Sequence, residues 1–307
     1  MLYSRCMYTH PLAGDCQIFV KIFDLDKGTN SGSSEIRNLR KLTQQFPEMA
    51  GVRFPMYLTS YSDAKNGVGI LFSLNRGPVK QTIDREVALN WMREPMSVSL
   101  WKITESVFET LVIIRRKSGK GYEPFNVGTA HLDVKPANIA IAHGTDGGVT
   151  LLDWESKGNE TMGWKVKRAM TPAYRTPEGG DVGSMSLSIL HICMFILGET
   201  GYSKMTFQQK EDYLDNLLKE SELRTNPKLL NIGVTQRLLF LMKGWISEFV
   251  RPEVALEQMR CPVHITVDSY WVKFFDSRRK ISEQQRTEPS PLPVESGDSS
   301  DEGVESD

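Results

Sequence analysis

Two short stretches carry residue types that phosphate chemistry needs. The first is His131-Leu-Asp133-Val-Lys135-Pro-Ala-Asn138, and the second is Leu151-Leu-Asp153. Between them lie two apolar runs, Ile139 to Ala142 and Val149 to Leu152, around His143-Gly-Thr-Asp-Gly-Gly, which predicts a hairpin. A hairpin there returns Asp153 to the side of Asn138. One amide oxygen and two carboxylates then face one cleft. Hard oxygen ligands of this kind suit magnesium held together with phosphate. Lys135 adds a point charge beside them, and Asp133, left free of metal, is placed to accept a hydroxyl proton. A polar loop of capping and turn residues is the plainer reading. The length of the string and the spaced second Asp weigh against it.

The elements that position these residues follow from hydrophobic spacing. Ser4 to Tyr8 and Cys16 to Phe23 flank the turn-rich His10-Pro-Leu-Ala-Gly-Asp and predict a first hairpin. Ile36, Leu39 and Leu42 predict a helix from about Glu35 to Gln44, capped by Ser33 or Ser34. Met56 to Tyr61 and Val68 to Leu74 predict two more strands. Leu100, Ile103, Val107, Leu111 and Ile114 keep one apolar face along a long helix. Lys117 to Gly128 reads as a loop, and from Gly179 the chain is expected to be helical to about Met259. Val182 to Leu197 is the most apolar stretch. It is too short for a membrane span and includes Ser184, Ser186, Ser188 and His191, so a buried core helix is expected. After Arg286 the chain is acidic and rich in Ser and Pro, and roughly 282–307 is expected to be a disordered acidic tail.

Composition narrows the classes. The 307 residues include 37 Lys and Arg against 38 Asp and Glu, a net charge of -1. No basic excess exists to recruit nucleic acid or a membrane surface, so neither is expected as a partner. Apolar residues make up 40% of the chain, enough to build a core. The four cysteines are scattered without a CxxC pair, which favours a reducing, intracellular compartment, cytoplasm or nucleus.

The string at 131–138 resembles the catalytic loop of the eukaryotic protein kinase family, in its Ser/Thr form, where Lys follows the Asp. The resemblance implies a two-lobed α+β kinase fold, with a small β-rich lobe over 1–74 and a helical lobe over 75–281. It implies ATP and Mg2+ as cofactors and a protein substrate offering Ser or Thr. Asp133 would position the substrate hydroxyl and Lys135 would contact the transferred phosphate. Asn138 and Asp153 would hold the metal. Phe19-Val-Lys21 on a strand and Glu35 early on the next helix match the Lys and Glu that pair over the α- and β-phosphates. By the same alignment Phe19 lies above the adenine and Ala140 below it, and Phe72 to Leu74 form the gatekeeper and hinge. Thr171-Pro-Ala-Tyr174-Arg-Thr-Pro177-Glu178 resembles the end of the activation loop, and Arg251-Pro resembles the late Arg of the helical lobe. Glu178 and Arg251 would form a buried ion pair, and Asp181 would brace the catalytic-loop backbone.

The chain also departs from that pattern. Gly14 is the sole glycine before Lys21, so no Gly-rich loop covers the phosphates, and the likeness starts inside the family's second strand. Asp-Phe-Gly is replaced by Asp153-Trp154-Glu155, and Leu132 stands where the family has Arg. Phe19 replaces a small residue. Only Gly179 and Gly180 separate Glu178 from Asp181. A compact kinase with this mixture suggests a viral or fast-diverging lineage. The departures keep other readings open: a pseudokinase acting as a binding scaffold or regulator, a small-molecule kinase of the same fold, and a gene product whose first strand lies upstream.

Overall fold

A computed structural model describes residues 2–10, 14–24, 31–63, 68–77, 80–83, 99–118, 129–142, 148–154, 158–159, 171–178, 180–219 and 227–261. Met1–Cys261 forms one compact unit and Pro262–Asp307 a second. The expected acidic tail lies in the second, outside the described residues, as does most of the expected loop between Lys117 and Gly128.

The chain is mixed α+β, with small antiparallel sheets and a helical part. Strands β1 (Leu2–His10), β2 (Gly14–Asp24), β3 (Met56–Asp63) and β4 (Val68–Arg76) form a four-stranded sheet in the order β1-β2-β4-β3. The expected hairpin of β1 and β2 is present, with Tyr3 opposite Lys21 and Tyr8 opposite Cys16. Along β4 burial alternates. Gly69, Leu71, Ser73 and Asn75 are buried while Ile70, Phe72 and Leu74 are half-buried, the period-two mark of a sheet with one face covered. Helix α1 (Ser31–Gln45) packs against this sheet, with its Leu39 and Leu42 and the following Phe46 all buried. It starts four residues before the expected Glu35 (35 − 31), because the Ser-Gly-Ser-Ser turn carries no apolar signal.

Strands β5 (Lys80–Thr82), β7 (Ile139–Ala142) and β8 (Thr150–Leu151) make a second sheet in the order β5-β7-β8. Strands β6 (Thr129–Ala130) and β9 (Gly158–Asn159) form a two-stranded ladder. The helical part comprises α2 (Leu100–Ser118), α3 (Asp181–Leu197), α4 (Phe207–Lys219), α5 (Pro227–Asn231), α6 (Gln236–Ser247) and α7 (Pro252–Arg260).

Helix α3 is the axis of this part. Apolar residues surround it, so it is buried on nearly all sides. Two of its three serines bond back into the helix: Ser186 Oγ donates to Val182 O at 3.0 Å and Ser188 Oγ to Ser184 O at 2.8 Å, while the buried Ser184 Oγ has no partner. Gly183 allows a close approach, since a Cβ there would stand 2.7 Å from Thr176 Cγ2. Gly198, at φ 86°, ends the helix in the left-handed conformation that suits glycine. No helix among the described residues is long and apolar enough to cross a membrane.

One expectation about the helical part is overturned. Glu178 and Arg251 are both exposed and form no buried pair. The ring of Phe249 lies 3.1 Å from where a Cβ of Gly180 would be, so an aromatic side chain fills the space beside the start of α3. Arg251, the residue before α7, is left facing water. The ion pairs at α7 are instead Arg115 Nε to Glu253 Oε1, at 3.3 Å, and Arg260 to Glu105 and Glu109.

Candidate functional site

The site starts on the sheet. Lys21, in β2, is 5% exposed, and so is Glu35, in α1. The Lys21 ammonium bonds Glu35 Oε2 and also donates to Asp153 Oδ1 at 3.0 Å. Asn38, one turn along α1 from Glu35, donates to the carbonyl oxygen of Trp154 at 2.8 Å. Helix α1 is therefore fastened twice to the segment after β8. A buried ammonium persists only when its charge is compensated, and here two carboxylates share it.

The second half is the segment entering the Pro136–Asn138 turn. Asp181, the first residue of α3, is 1% exposed. Its two oxygens accept from the backbone N–H groups of His131 and Leu132, each at 2.7 Å. This is the brace expected of Asp181. His131 is fully buried, and burial pushes its pKa below the ordinary value. Its Nε2 pairs with Leu152 O at 2.8 Å and its Nδ1 accepts from Asp133 N at 3.2 Å, which fixes the proton on Nε2.

Asp133 is the most heavily bonded side chain of the site. Its Oδ2 accepts from Lys135 Nζ at 2.6 Å and from Asn138 Nδ2 at 3.2 Å. Its Oδ1 accepts from Thr171 N at 3.0 Å and from Thr171 Oγ1 at 2.5 Å. Burial raises the pKa of this carboxyl, but the Lys135 and Thr171 bonds outweigh it and hold the group below its ordinary range. Lys135 also donates to Thr171 Oγ1 at 3.0 Å.

Asn138 directs its amide nitrogen to Asp133 O at 2.8 Å, leaving its carbonyl oxygen for a ligand. Leu152 N donates to Asn138 O at 2.7 Å, and Ile139 stands opposite Leu151 across the β7–β8 ladder. Asn138 and Asp153 thus flank one backbone hydrogen bond, as the expected hairpin required. An amide oxygen and a carboxylate are hard donors that fit a small divalent cation sharing its shell with phosphate oxygens. Among the described residues no group of three or more His, Cys, Asp and Glu gathers to hold a metal by itself.

Leu132 at φ 68° and Asp153 at φ 61° are the only non-glycine residues of positive φ among the described residues. Both lie in the site. Left-handed backbone at a non-glycine persists only where the surroundings hold it, and such residues cluster at functional sites. Part of the hold is Trp154. It is fully buried, its Nε1 donates to Leu151 O at 2.8 Å, and its ring meets His131 edge-on at 4.6 Å and Phe54 at 6.1 Å. Trp154 thus takes an apolar packing role, while Glu155 lies outside the described residues.

Three of the four expected base contacts lie in the first sheet, on opposite faces, and the fourth, Ala140, lies in the second sheet. Residues directly opposite in an antiparallel pair share a face. Lys21 is opposite Leu71, Phe19 opposite Ser73, and Gln17 opposite Asn75. Phe19 therefore shares the Lys21 face, half-buried. Phe72 and Leu74 point to the other face, opposite Val20 and Ile18, and the β4 residues on the Lys21 face are Gly69, Leu71, Ser73 and Asn75. Ala140 is buried in β7 between Thr82 and Thr150. Sequence reasoning missed two contributors, Thr171 as a partner of Asp133 and Asn38 as a tie to Trp154. Thr171 opens the quoted Thr-Pro segment, but nothing in the sequence says which carboxylate its hydroxyl meets. The chain matches no known family model, and no curated protein matches it.

Proposed function

We propose that this chain is an ATP- and magnesium-dependent Ser/Thr protein kinase, built on a two-lobed kinase-like fold. The observation that carries the reading is the meeting of Lys21 with Glu35 and Asp153, residues 14 and 132 positions away, beside the bonded set of Asp133, Lys135 and Asn138. In this reading Lys21, oriented by Glu35, neutralises phosphate charge. Asn138 and Asp153 are the residues that would hold magnesium, which supplies charge neutralisation on the phosphate oxygens.

The substrate hydroxyl oxygen forms a bond to the γ-phosphorus as the bond from that phosphorus to the ADP oxygen breaks. The hydroxyl proton passes to Asp133. With its pKa held low, Asp133 is a weak base. It orients the hydroxyl first and takes the proton late, as suits a loose transition state with little bonding to the nucleophile. Lys135 leaves the Asp133 side to meet the charge on the transferred group.

A second reading rests on one specific observation. Both Asp133 oxygens are already satisfied within the protein, so the set is also stable as a resting scaffold that binds without transferring. Transfer of labelled γ-phosphate to a Ser/Thr peptide library separates the two. The kinase reading expects incorporation by the natural protein and its loss in Asp133→Asn, with Mg·ADP binding kept. Binding of Mg·ADP with no incorporation by either protein would establish the scaffold and overturn the enzyme.

A further inference from the structure

Asn75 is 1% exposed, and neither its Nδ2 nor its Oδ1 has a hydrogen-bond partner. Buried polar side chains are nearly always paired, and an exception calls for a missing partner. The position of this one is informative. Asn75 stands opposite Gln17 on the same sheet face as Phe19, Ser73 and Lys21. The Gln17 carboxamide is spent: it donates to Lys80 O at 3.3 Å and accepts from Lys80 N at 3.2 Å. Of two facing carboxamides, one ties the sheet to β5 and the other has nothing to bond.

The spacing along the face suits a nucleotide. Gln17 and Lys21 are separated by four steps of β2, roughly 13 Å at ~3.3 Å per residue. That is close to the span from the base edge of an extended nucleotide to its β-phosphate. With the phosphates at Lys21, the base falls near Asn75, and Phe19 lies between them on the same face. A carboxamide offers one donor and one acceptor side by side, which is the complement of the adenine edge. Resting on the nucleotide-binding reading above, we propose that Asn75 is the base-reading residue of this site, its carboxamide pairing with the adenine edge. The base is then read by a side chain at the end of β4. Because Asn75 is sealed from solvent, a base reaches it only by displacing the side chains that cover it.

The test is calorimetric titration of the full chain and its Asn75→Leu variant with Mg·ADP and, separately, with magnesium tripolyphosphate. Leu has nearly the shape of Asn and no polar atoms. The expected result is a loss of tenfold or more in Mg·ADP affinity with tripolyphosphate affinity unchanged, and an unliganded melting temperature equal to or above that of the natural protein. Asn75→Ala repeats the comparison should the Leu variant fail to fold. Equal Mg·ADP affinity in variant and natural protein overturns the role of Asn75. So does a large fall in the unliganded melting temperature of both variants, which would assign the carboxamide to a buried structural water. A natural protein that binds neither ligand overturns the nucleotide reading itself.

Discussion

Replacing Asp181 by Asn should loosen the segment that carries Asp133, and the size of the effect can be worked out from the bonds. The carboxylate accepts two backbone N–H groups at 2.7 Å while 1% exposed. An amide of the same shape can accept only with its oxygen. Its NH2 then faces an N–H, and one buried donor loses its partner. A hydrogen bond to a charged group contributes ~1.5–3 kcal/mol. Asp181 is also the first residue of α3, where a negative charge contributes a further ~0.3–1 kcal/mol. The sum is about 2–4 kcal/mol. At about 2 °C per kcal/mol for a unit of this size, the melting temperature should fall by roughly 4–8 °C.

The assay is thermal melting of Asp181→Asn, followed by hydrogen exchange of the backbone amides. The His131 and Leu132 amides should lose protection first, because the replaced carboxylate bonds them directly. Asp181→Ala, which removes both acceptors, should fall further. A melting temperature within a degree of the natural protein, with those two amides still protected, would refute the brace and the positioning argument built on it.

Three other outcomes follow from the same geometry. Lys80 is buried, its ammonium bonded to Val52 O at 2.9 Å and Thr150 Oγ1 at 2.6 Å, and burial followed by repulsion from Arg53 lowers its pKa to about 8. The unfolded chain therefore takes up this proton first as pH falls from about 10.5. Lys80 weakens the fold progressively down to pH 8, by about 3 kcal/mol in all. Denaturant titrations at pH 7 and pH 10 should show the natural protein gaining stability relative to Lys80→Met as pH rises, and a constant difference would contradict the assignment. Glu178→Ala and Arg251→Ala should each shift stability by less than ~0.5 kcal/mol, as exposed changes do, and a shift of several kcal/mol in equilibrium unfolding would restore the buried pair. Trp154→Ala should cost ~3–5 kcal/mol and move the His131 ring resonances, because the indole is fully buried against that ring; a loss below 1 kcal/mol would show that the ring contact does not hold the segment.

How much could be read beforehand depended on the kind of signal. Strands β2 and β4 and helices α2 and α3 announced themselves by apolar period, and the structure extends them by only a residue or two at most ends. Strands β6 and β9 are two residues each, too short for any period to register. The facing of Phe72 was not legible. Side chains alternate every residue along a strand, so a shift of one position exchanges the faces, and only pairing with β2 fixes which face meets Lys21. Asp181 as a brace was implied only by the kinase resemblance, and its bonds to the His131 and Leu132 amides agree with it. The Glu178–Arg251 pair, implied in the same way, failed. It depends on what lies between two distant segments, and the ring of Phe249 beside Gly180 could not be placed from sequence spacing.

The two strained residues account for the arrangement of the site. Leu132 directly follows His131, Asp153 directly follows Leu152, and His131 Nε2 is bonded to Leu152 O. Each strained residue thus sits just past an end of the same hydrogen bond. Left-handed backbone at a non-glycine costs about 1–3 kcal/mol, so the two together take up a sizeable part of the ~5–15 kcal/mol that holds an ordinary domain folded. They persist because three buried groups act on one point: Asp181 on the Leu132 amide, the His131–Leu152 bond, and the Trp154 ring against His131. The turn at each strained residue is what brings the Asp133 and Asp153 carboxylates toward Lys135 and Lys21. Relaxing either residue would give back conformational energy and remove the aim of a carboxylate. A chain that used this region only for packing would have no reason to hold that strain, and for this reason the backbone angles, as much as the side chains, favour a working site at Asp133 and Asp153.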